Sequence, residues 1–136
     1  MRIVLDTNVL VSGLLTPFGV CGEVVRMLMS ESVVLCVDSR ILLEYEEVLK
    51  RPRFKIRHEP VDILMEYIDS TSEMYCPEPL STSLPDQGDN PFLEVALSAH
   101  AHCLVTGNLK HFPRNLRQGV HVLSPREFFD LVADRE

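Results

Sequence analysis

Short apolar runs alternate with longer segments of helical periodicity along this chain, and no other feature constrains the fold as strongly. The strand-like runs lie at residues 3–5, 33–37, 103–106 and 120–123. Strands that alternate with helices form βαβ units, in which parallel strands share one sheet and helices cover its faces. The sequence therefore predicts a three-layer α/β/α fold with a central, mostly parallel sheet of four to five strands.

The segments between these runs carry helix start and stop signals. Helices are predicted at about residues 9–15, 22–29, 39–49, 61–74 and 125–133, with another that begins near Pro91. Ser39 and Asn90 are the predicted N-caps of two of them, and Ser124 with Glu127 forms a capping box. Residues 76–88, rich in Pro and Ser, are predicted to form a long surface loop.

Composition narrows the class of protein. A chain of 136 residues is expected to form a single domain over residues 1–136, and 46% hydrophobic with 24% charged residues is typical of a soluble globular protein. No apolar run approaches the length of a membrane span, so a cytoplasmic protein with no membrane partner is expected. Four scattered cysteines with no CxxC pair predict neither a disulfide framework nor a zinc site.

The charge distribution leaves two interpretations open. A formal net charge of −7 argues against binding nucleic acid by bulk attraction, because phosphate contacts depend on Lys and Arg. The positive charge is nevertheless concentrated at residues 50–58 and 110–117. These segments are either local sites for a polyanion or solvated surface loops, and the charge pattern alone favours the loops.

The first strand ends on an acid, Asp6, and this position suggests a binding site. The carboxyl edge of a parallel sheet is where ligands bind in open α/β folds. The alternative is that Asp6 or Thr7 caps the following helix, as both residue types do well. The segment by itself supports the two interpretations equally.

Other polar residues are expected at the same edge of the sheet. Asp89 precedes a helix and Asn108 follows the third strand-like run. On the helix over residues 39–49, Glu47 points away from the apolar face, whereas Glu44 and Glu46 flank it. Periodicity does not choose between these two. Carboxylates without a matching set of Cys or His suit Mg²⁺ or Mn²⁺, ions that promote phosphodiester hydrolysis.

Four segments, taken in order, resemble the PIN domain. They are DTNVL at residues 6–10, LEYEEVL at 43–49 followed by RPRF at 51–54, DNPFLEVA at 89–96 and VTGN at 105–108. The resemblance spans nearly the whole chain and is closest to prokaryotic proteins described as toxin components of the PIN family. It implies a metal-dependent endoribonuclease with Mg²⁺ or Mn²⁺ in an acidic pocket. It also implies a small antitoxin as partner and a homodimer.

The resemblance also implies roles for individual residues. Asp6, Glu44 and Asp89 match the three acids of the family, which selects Glu44 over Glu46. Thr7, Asn8, Thr106 and Asn108 are expected to orient carboxylates and water around them. Five basic residues are expected to hold the RNA backbone: Lys50, Arg51, Arg53, Lys110 and Arg114.

This chain departs from the family at its fourth acid. That acid commonly lies at one of two positions, which here hold Asn108 and His111. Asn108 brings no charge, so a second metal ion is not expected to be well held. Asp86 is a candidate replacement, although a turn residue after Pro85 is the simpler interpretation. His111 is interpreted as a surface histidine in a basic loop.

The missing fourth acid defines the alternative function. A PIN-like scaffold that binds RNA or a protein without cutting would not need a complete acidic site. The enzyme is favoured because three acids stand at positions that the fold alone does not require.

Overall fold

A parallel five-stranded sheet forms the centre of the molecule. The computed structural model describes residues 1–134. The strands are β1 Arg2–Leu5, β2 Val34–Val37, β3 Glu73–Met74, β4 Cys103–Val105 and β5 Val122–Leu123. Their order in the sheet is β3-β2-β1-β4-β5, and every neighbouring pair is parallel. The predicted α/β fold is thereby confirmed.

β1 lies at the middle of the sheet because its residues are apolar on both faces. Ile3, Val4 and Leu5 are fully buried, as a central parallel strand requires. From β1 the chain builds β2 and β3 on one side and later β4 and β5 on the other. The strand order therefore reverses between β1 and β4. Ligand sites of open α/β sheets form at the carboxyl ends of the strands that flank such a reversal.

Six helices pack around the sheet. They are α1 Thr7–Leu15, α2 Val20–Met29, α3 Ser39–Leu49, α4 His58–Thr71, α5 Asn90–Ala99 and α6 Pro125–Ala133. α5 packs on the central strands β1, β2 and β4, whereas α3 contacts α1, α4 and α5. α6 contacts β5 and α2, and the predicted capping box at its start is confirmed. The elements that follow the ends of β1, β2 and β4 therefore surround one edge of the sheet.

The corner between α1 and α2 depends on two glycines. A Cβ atom at Gly22 would lie 2.0 Å from the carbonyl oxygen of Pro17, and one at Gly13 would lie 2.6 Å from Cγ2 of Val25. The two helices pack this closely because neither glycine carries a side chain. Within residues 1–134, no single helix is long and apolar enough to cross a membrane. Among residues 1–134, the pair of α1 and α2, with a bend of 104° between them, is the one combination of helices with sufficient length and apolar composition.

Two predicted helix starts are wrong by one residue. Asp38, not Ser39, caps α3, because its Oδ1 accepts a hydrogen bond from the Ile41 amide at 3.0 Å. Asn90 is the first residue of α5 and does not cap it. Its side chain instead accepts a hydrogen bond from the Leu84 amide at 3.0 Å, which fixes the end of the loop before the helix.

The prediction of a helix up to residue 74 is also wrong. α4 ends at Thr71, and the next residues turn to form β3. Glu73 and Met74 pair with Cys36 and Val37 at the edge of the sheet. A strand of two residues is too short to show a period of its own in the sequence, which explains the error.

Candidate active site

Asp6 lies at the end of β1 and is almost fully buried. Its backbone occupies the N-cap position of α1, but its side chain makes no capping hydrogen bond. Its Oδ2 atom instead accepts hydrogen bonds from Oγ1 of Thr106 at 2.8 Å and, more weakly, from Nδ2 of Asn8 at 3.4 Å. Helix capping therefore does not explain why a carboxylate is buried here. The side chain lies between the ends of β1 and β4, where the strand order reverses.

Glu44 is brought to Asp6 by the packing of α3. The neighbouring residue Tyr45 is fully buried, and its hydroxyl donates to the carbonyl oxygen of Leu5 at 2.6 Å. This bond ties α3 to the end of β1. Glu44 then accepts a hydrogen bond from the hydroxyl of Thr7, the residue after Asp6. The two hydrogen bonds thus hold Glu44 of α3 close to Asp6, which follows β1.

The other flank of α3 carries no site residue. Glu46 is exposed, and its carboxylate lies 3.3 Å from Nζ of Lys50. Glu47 is also exposed and pairs with Arg51 at 3.0 Å. Glu44 is therefore the acid on this helix that faces the edge of the sheet.

Asp89 enters the same region from the short turn Gln87–Asp89 before α5. It is 8% exposed, and its Oδ2 is buried without a hydrogen bond from any of residues 1–134. Leaving such an oxygen unsatisfied costs free energy. Asp86, at the start of the turn, is exposed and uses Oδ1 to accept a hydrogen bond from the Gly88 amide at 2.8 Å.

Burial and nearby charge raise the proton affinity of these three acids. Burial raises the pKa of Asp6, and burial together with the charge of Asp6 raises the pKa of Glu44. Burial and the charges of Asp6, Asp86 and Glu44 raise the pKa of Asp89 to about 6. The three carboxylates therefore lie within electrostatic reach of one another, and a cation between them would relieve the repulsion.

A second set of buried acids at this edge is paired with an arginine. Asp38 lies 2.6 Å from the guanidinium of Arg40, which also contacts Glu94 at 2.8 Å. Glu94 additionally accepts a hydrogen bond from the Leu80 amide at 3.0 Å and so anchors the loop before α5. Within the described part of the chain, no Lys or Arg forms an equivalent ion pair with Asp6, Glu44 or Asp89. Asp6, Glu44 and Asp89 are therefore the acids at this edge that no Lys or Arg of residues 1–134 pairs with.

The turn after β4 is tied to the loop after β1. The Gly107 amide donates to Oδ1 of Asn8 at 3.0 Å, and the Asn108 amide donates to Oγ1 of Thr106 at 3.0 Å. A Cβ atom at Gly107 would lie 3.3 Å from Oδ1 of Asn8, which explains a glycine at this close approach. Thr7, Asn8 and Thr106 thus contact the acids directly, whereas Asn108 contacts them through Thr106.

The donor set fits Mg²⁺ or Mn²⁺ by its chemistry. Three carboxylates converge, one of them has a buried oxygen without a hydrogen bond, and hard cations prefer oxygen ligands. Among residues 1–134, no group of three or more His, Cys, Asp or Glu side chains is close enough to hold an ion as they stand. The carboxylates would therefore have to close on an ion, and the repulsion between them would fall as they did so.

His111 is the site residue that was missed from the sequence. It was interpreted as a surface histidine, but the turn Leu109–His111 places its Nδ1 3.1 Å from Oδ2 of Asp89. Its positive charge, when present, lowers the pKa of both Asp6 and Asp89. The available signal was its position three residues after Asn108, which is one of the two positions that the resemblance to the PIN domain gives for the fourth acid.

The basic residues divide into paired and unpaired groups. Nζ of Lys50 lies 2.7 Å from Asp62, and Arg51 is paired as described above. Arg53 stacks on the ring of Phe54 at 4.8 Å. Within residues 1–134, three of the five predicted RNA contacts form no ion pair: Arg53, Lys110 and Arg114. The charges of these three side chains are therefore available to bind a polyanion.

Sequence comparison agrees with this architecture. A family model described as PIN domain matches residues 2–110. The protein described as "Uncharacterized protein MJ1680" from Methanocaldococcus jannaschii is 25% identical over 111 residues, which cover 79% of this chain and 71% of the relative.

Two crystal structures contain chains of similar fold. One is FitAcB from Neisseria gonorrhoeae, with a TM-score of 0.61 and 18% identity. The other is VapBC2 from Rickettsia felis bound to a DNA fragment from their promoter, with a TM-score of 0.57 and 16% identity. Each match covers 91% of this chain and 98% of the chain it resembles. At this level of identity the likeness concerns the fold.

Proposed function

Since this chain belongs to the PIN domain family, we propose that it is a metal-dependent endoribonuclease. The substrate is single-stranded RNA, and the ion is Mg²⁺ or Mn²⁺. One observation carries the proposal: Asp6, Glu44 and Asp89 converge at the reversal point of the sheet, and none of them forms an ion pair with a Lys or Arg among residues 1–134. Their burial costs free energy that a structural role does not require.

The protein's own residues would bind the ion and orient the substrate. Asp6, Glu44 and Asp89 would hold the ion, with Thr7 and Thr106 fixing two of the carboxylates by hydrogen bonds. When bound, such an ion would lower the pKa of a coordinated water and neutralise charge on the scissile phosphate. Hydrolysis by attack of water in line with the leaving 3′-oxygen leaves a 5′-phosphate and a 3′-hydroxyl.

Cations on both sides of the acidic centre define a path for the RNA backbone. Lys110 adjoins His111 in the turn beside Asp89, and Arg114 follows in the next turn. Arg51 lowers the pKa of Glu44, so it lies within electrostatic reach of the acids from the other side. Positive charge on two sides of an acidic centre is an arrangement that admits a phosphodiester while the protein as a whole is acidic.

Cleavage of a labelled single-stranded RNA tests the proposal. Purified protein should cut with Mn²⁺ or Mg²⁺ and stop when a chelator is added, and a single-stranded DNA of the same sequence should be cut more slowly. Asp6→Asn should abolish cleavage, whereas Asp69→Asn, at an exposed position on α4, should not affect it. Equal cleavage by the Asp6→Asn protein contradicts the assignment. RNA binding without cleavage by the wild type supports the scaffold instead.

The proposal includes a role as the toxin of a toxin–antitoxin pair. An apolar groove of about 340 Å³ lies between the α1–α2 corner and α4. Its apolar lining consists of Leu14, Val25, Met29, Pro60, Ile63 and Leu64. Phe18, beside the groove's helices, is 95% exposed. Exposed apolar surface of this kind is typical of partner sites, and an apolar helix of a small antitoxin would fill the groove.

Growth assays test the toxin role. Expression of the chain should arrest growth, and co-expression of the small protein from the adjacent reading frame should restore it. Ile63→Asp should prevent the rescue without reducing RNA cleavage, whereas Met74→Asp, an equally exposed residue on the edge strand, should leave the rescue intact. Rescue that is unaffected by Ile63→Asp places the partner elsewhere. A homodimer is also proposed, and light scattering should give twice the mass of the chain.

A further inference from the structure

His111 lies against the acidic centre in a geometry that hydrogen bonding does not explain. Its Nδ1 atom is 3.1 Å from Oδ2 of Asp89, yet this oxygen accepts no hydrogen bond from residues 1–134. An imidazolium that served only as a counter-ion to Asp89 would be expected to align its N–H with the carboxylate. The two atoms are close, and no hydrogen bond joins them.

Two ligands of one ion show this relationship. Atoms at adjacent corners of an octahedron, each about 2.1 Å from its centre, lie about 3.0 Å apart. The separation of 3.1 Å between Nδ1 of His111 and Oδ2 of Asp89 matches that value. The ring is also within electrostatic reach of Asp6, which lies across the same centre. The histidine is 44% exposed, so its ring has room to turn toward an ion.

We propose that Nδ1 of His111 is a nitrogen ligand of the ion held by Asp6, Glu44 and Asp89, and that it makes the site prefer Mn²⁺ to Mg²⁺. The proposal rests on the proposed function, because it concerns the same ion. Mg²⁺ strongly prefers oxygen ligands, whereas the affinity of nitrogen ligands rises along the transition metals. A site with an imidazole in place of a carboxylate therefore has one negative charge fewer and a stronger preference for Mn²⁺ over Mg²⁺.

A ligand at His111 would compensate for the fourth acid of the family that this chain lacks. Asn108 brings no charge and contacts the acids through Thr106. His111 stands one turn further along the chain and directly contacts Asp89. The centre thus gains a fourth side-chain ligand from the turn after β4 without a fourth negative charge.

Pulsed electron paramagnetic resonance of bound Mn²⁺ tests the ligand directly. The wild-type protein with one equivalent of Mn²⁺ should show nitrogen modulation from a coordinated imidazole. His111→Ala should lose that modulation and bind Mn²⁺ at least about tenfold more weakly. The control is His121→Ala, an exposed histidine before β5 at the opposite edge of the sheet, which should change neither quantity.

Selectivity provides a second measurement with its own outcome. Calorimetric titration with Mg²⁺ and Mn²⁺ gives the ratio of the two dissociation constants. His111→Asp should reduce the preference for Mn²⁺ by about tenfold, because a hard carboxylate replaces the nitrogen. Mn²⁺ that binds in a manner dependent on Glu44 but shows no nitrogen modulation overturns this inference and leaves the nuclease standing. Absence of any Mn²⁺ binding overturns both.

Discussion

Replacing Asp89 by asparagine should stabilise the metal-free protein while it removes the activity. The carboxylate is 8% exposed, has an oxygen without a hydrogen bond and lies near two other acids. These features raise its pKa from 3.8 to about 6. An asparagine keeps the size of the side chain and removes the charge. The charge of Asp89 therefore lowers the free energy of unfolding of the metal-free protein, and Asp89→Asn removes that charge.

The pKa difference sets the size and sign of the effect. Because the folded state holds the Asp89 proton more tightly than the unfolded chain, the native protein loses stability as pH rises from 3.8 to about 6. Above that window the full difference corresponds to at most about 3 kcal/mol. Solvent reorganisation around the partly open site reduces it, so a gain of about 1–3 kcal/mol is expected for Asp89→Asn near neutral pH.

Urea denaturation in the presence of a chelator measures this gain. Unfolding free energies of the wild type and Asp89→Asn should differ most at about pH 7.5 and converge as the pH is lowered toward 4. Asp69→Asn, which removes an exposed charge on α4, should show no such pH-dependent gain. Added Mn²⁺ should raise the stability of the wild type and not that of Asp89→Asn.

The opposite result would refute this electrostatic explanation. If Asp89→Asn is less stable than the wild type at neutral pH without metal, the carboxylate makes favourable contacts in the native state. The site would then be a structural hydrogen-bond network and not a set of acids that awaits a cation.

Three further changes test how the site is built. Tyr45→Phe should lower the unfolding free energy by about 1–3 kcal/mol, because the carbonyl of Leu5 loses its buried partner, and an unchanged urea midpoint would contradict that. Gly22→Ala should destabilise by about 3 kcal/mol, since its Cβ would lie 2.0 Å from the oxygen of Pro17, and a native-like melting temperature would disprove the tight corner. Alanine at the three unpaired cations should weaken RNA binding. It should also reduce the slope of the logarithm of the binding constant against the logarithm of the salt concentration by about 0.7 per lost phosphate contact. Alanine at Lys50, which is paired with Asp62, should have a smaller effect, and equal effects would mean that ion pairing does not determine which cations contact RNA.

Most of the architecture was predictable because hydrophobic periodicity determines it. The apolar run before Asp6 predicted a strand buried on both faces, and the other runs followed the same rule. β3 could not be predicted, since two residues at the edge of a sheet carry no periodic signal. The caps were misplaced by one residue because neighbouring Asp, Asn and Ser side chains all cap well, and tertiary contacts such as that of Asn90 with Leu84 decide among them.

The site was less accessible from the sequence than the fold. Periodicity on α3 reduced the choice to Glu44 or Glu46, and the resemblance to the PIN domain selected Glu44. The packing of Tyr45 against Leu5 gives the physical reason why Glu44 faces Asp6. His111 could not be placed, because a short turn of three residues sets the direction of its ring and no periodic pattern reports that direction. The loss of an acid at Asn108 was visible in the sequence, whereas the contact between His111 and Asp89 was visible only once the chain was folded.

Titration of the metal-free protein with Mn²⁺ tests the central claim most directly. Calorimetry should show one ion bound per chain to the wild type at about pH 7.5, which is above the pKa of about 6 of Asp89. Glu46→Gln alters the exposed flank of α3 and should bind equally well, whereas Glu44→Gln should bind at least about tenfold more weakly. Equal affinities of Glu44→Gln and the wild type, or no binding to either, would contradict a metal site formed by Asp6, Glu44 and Asp89.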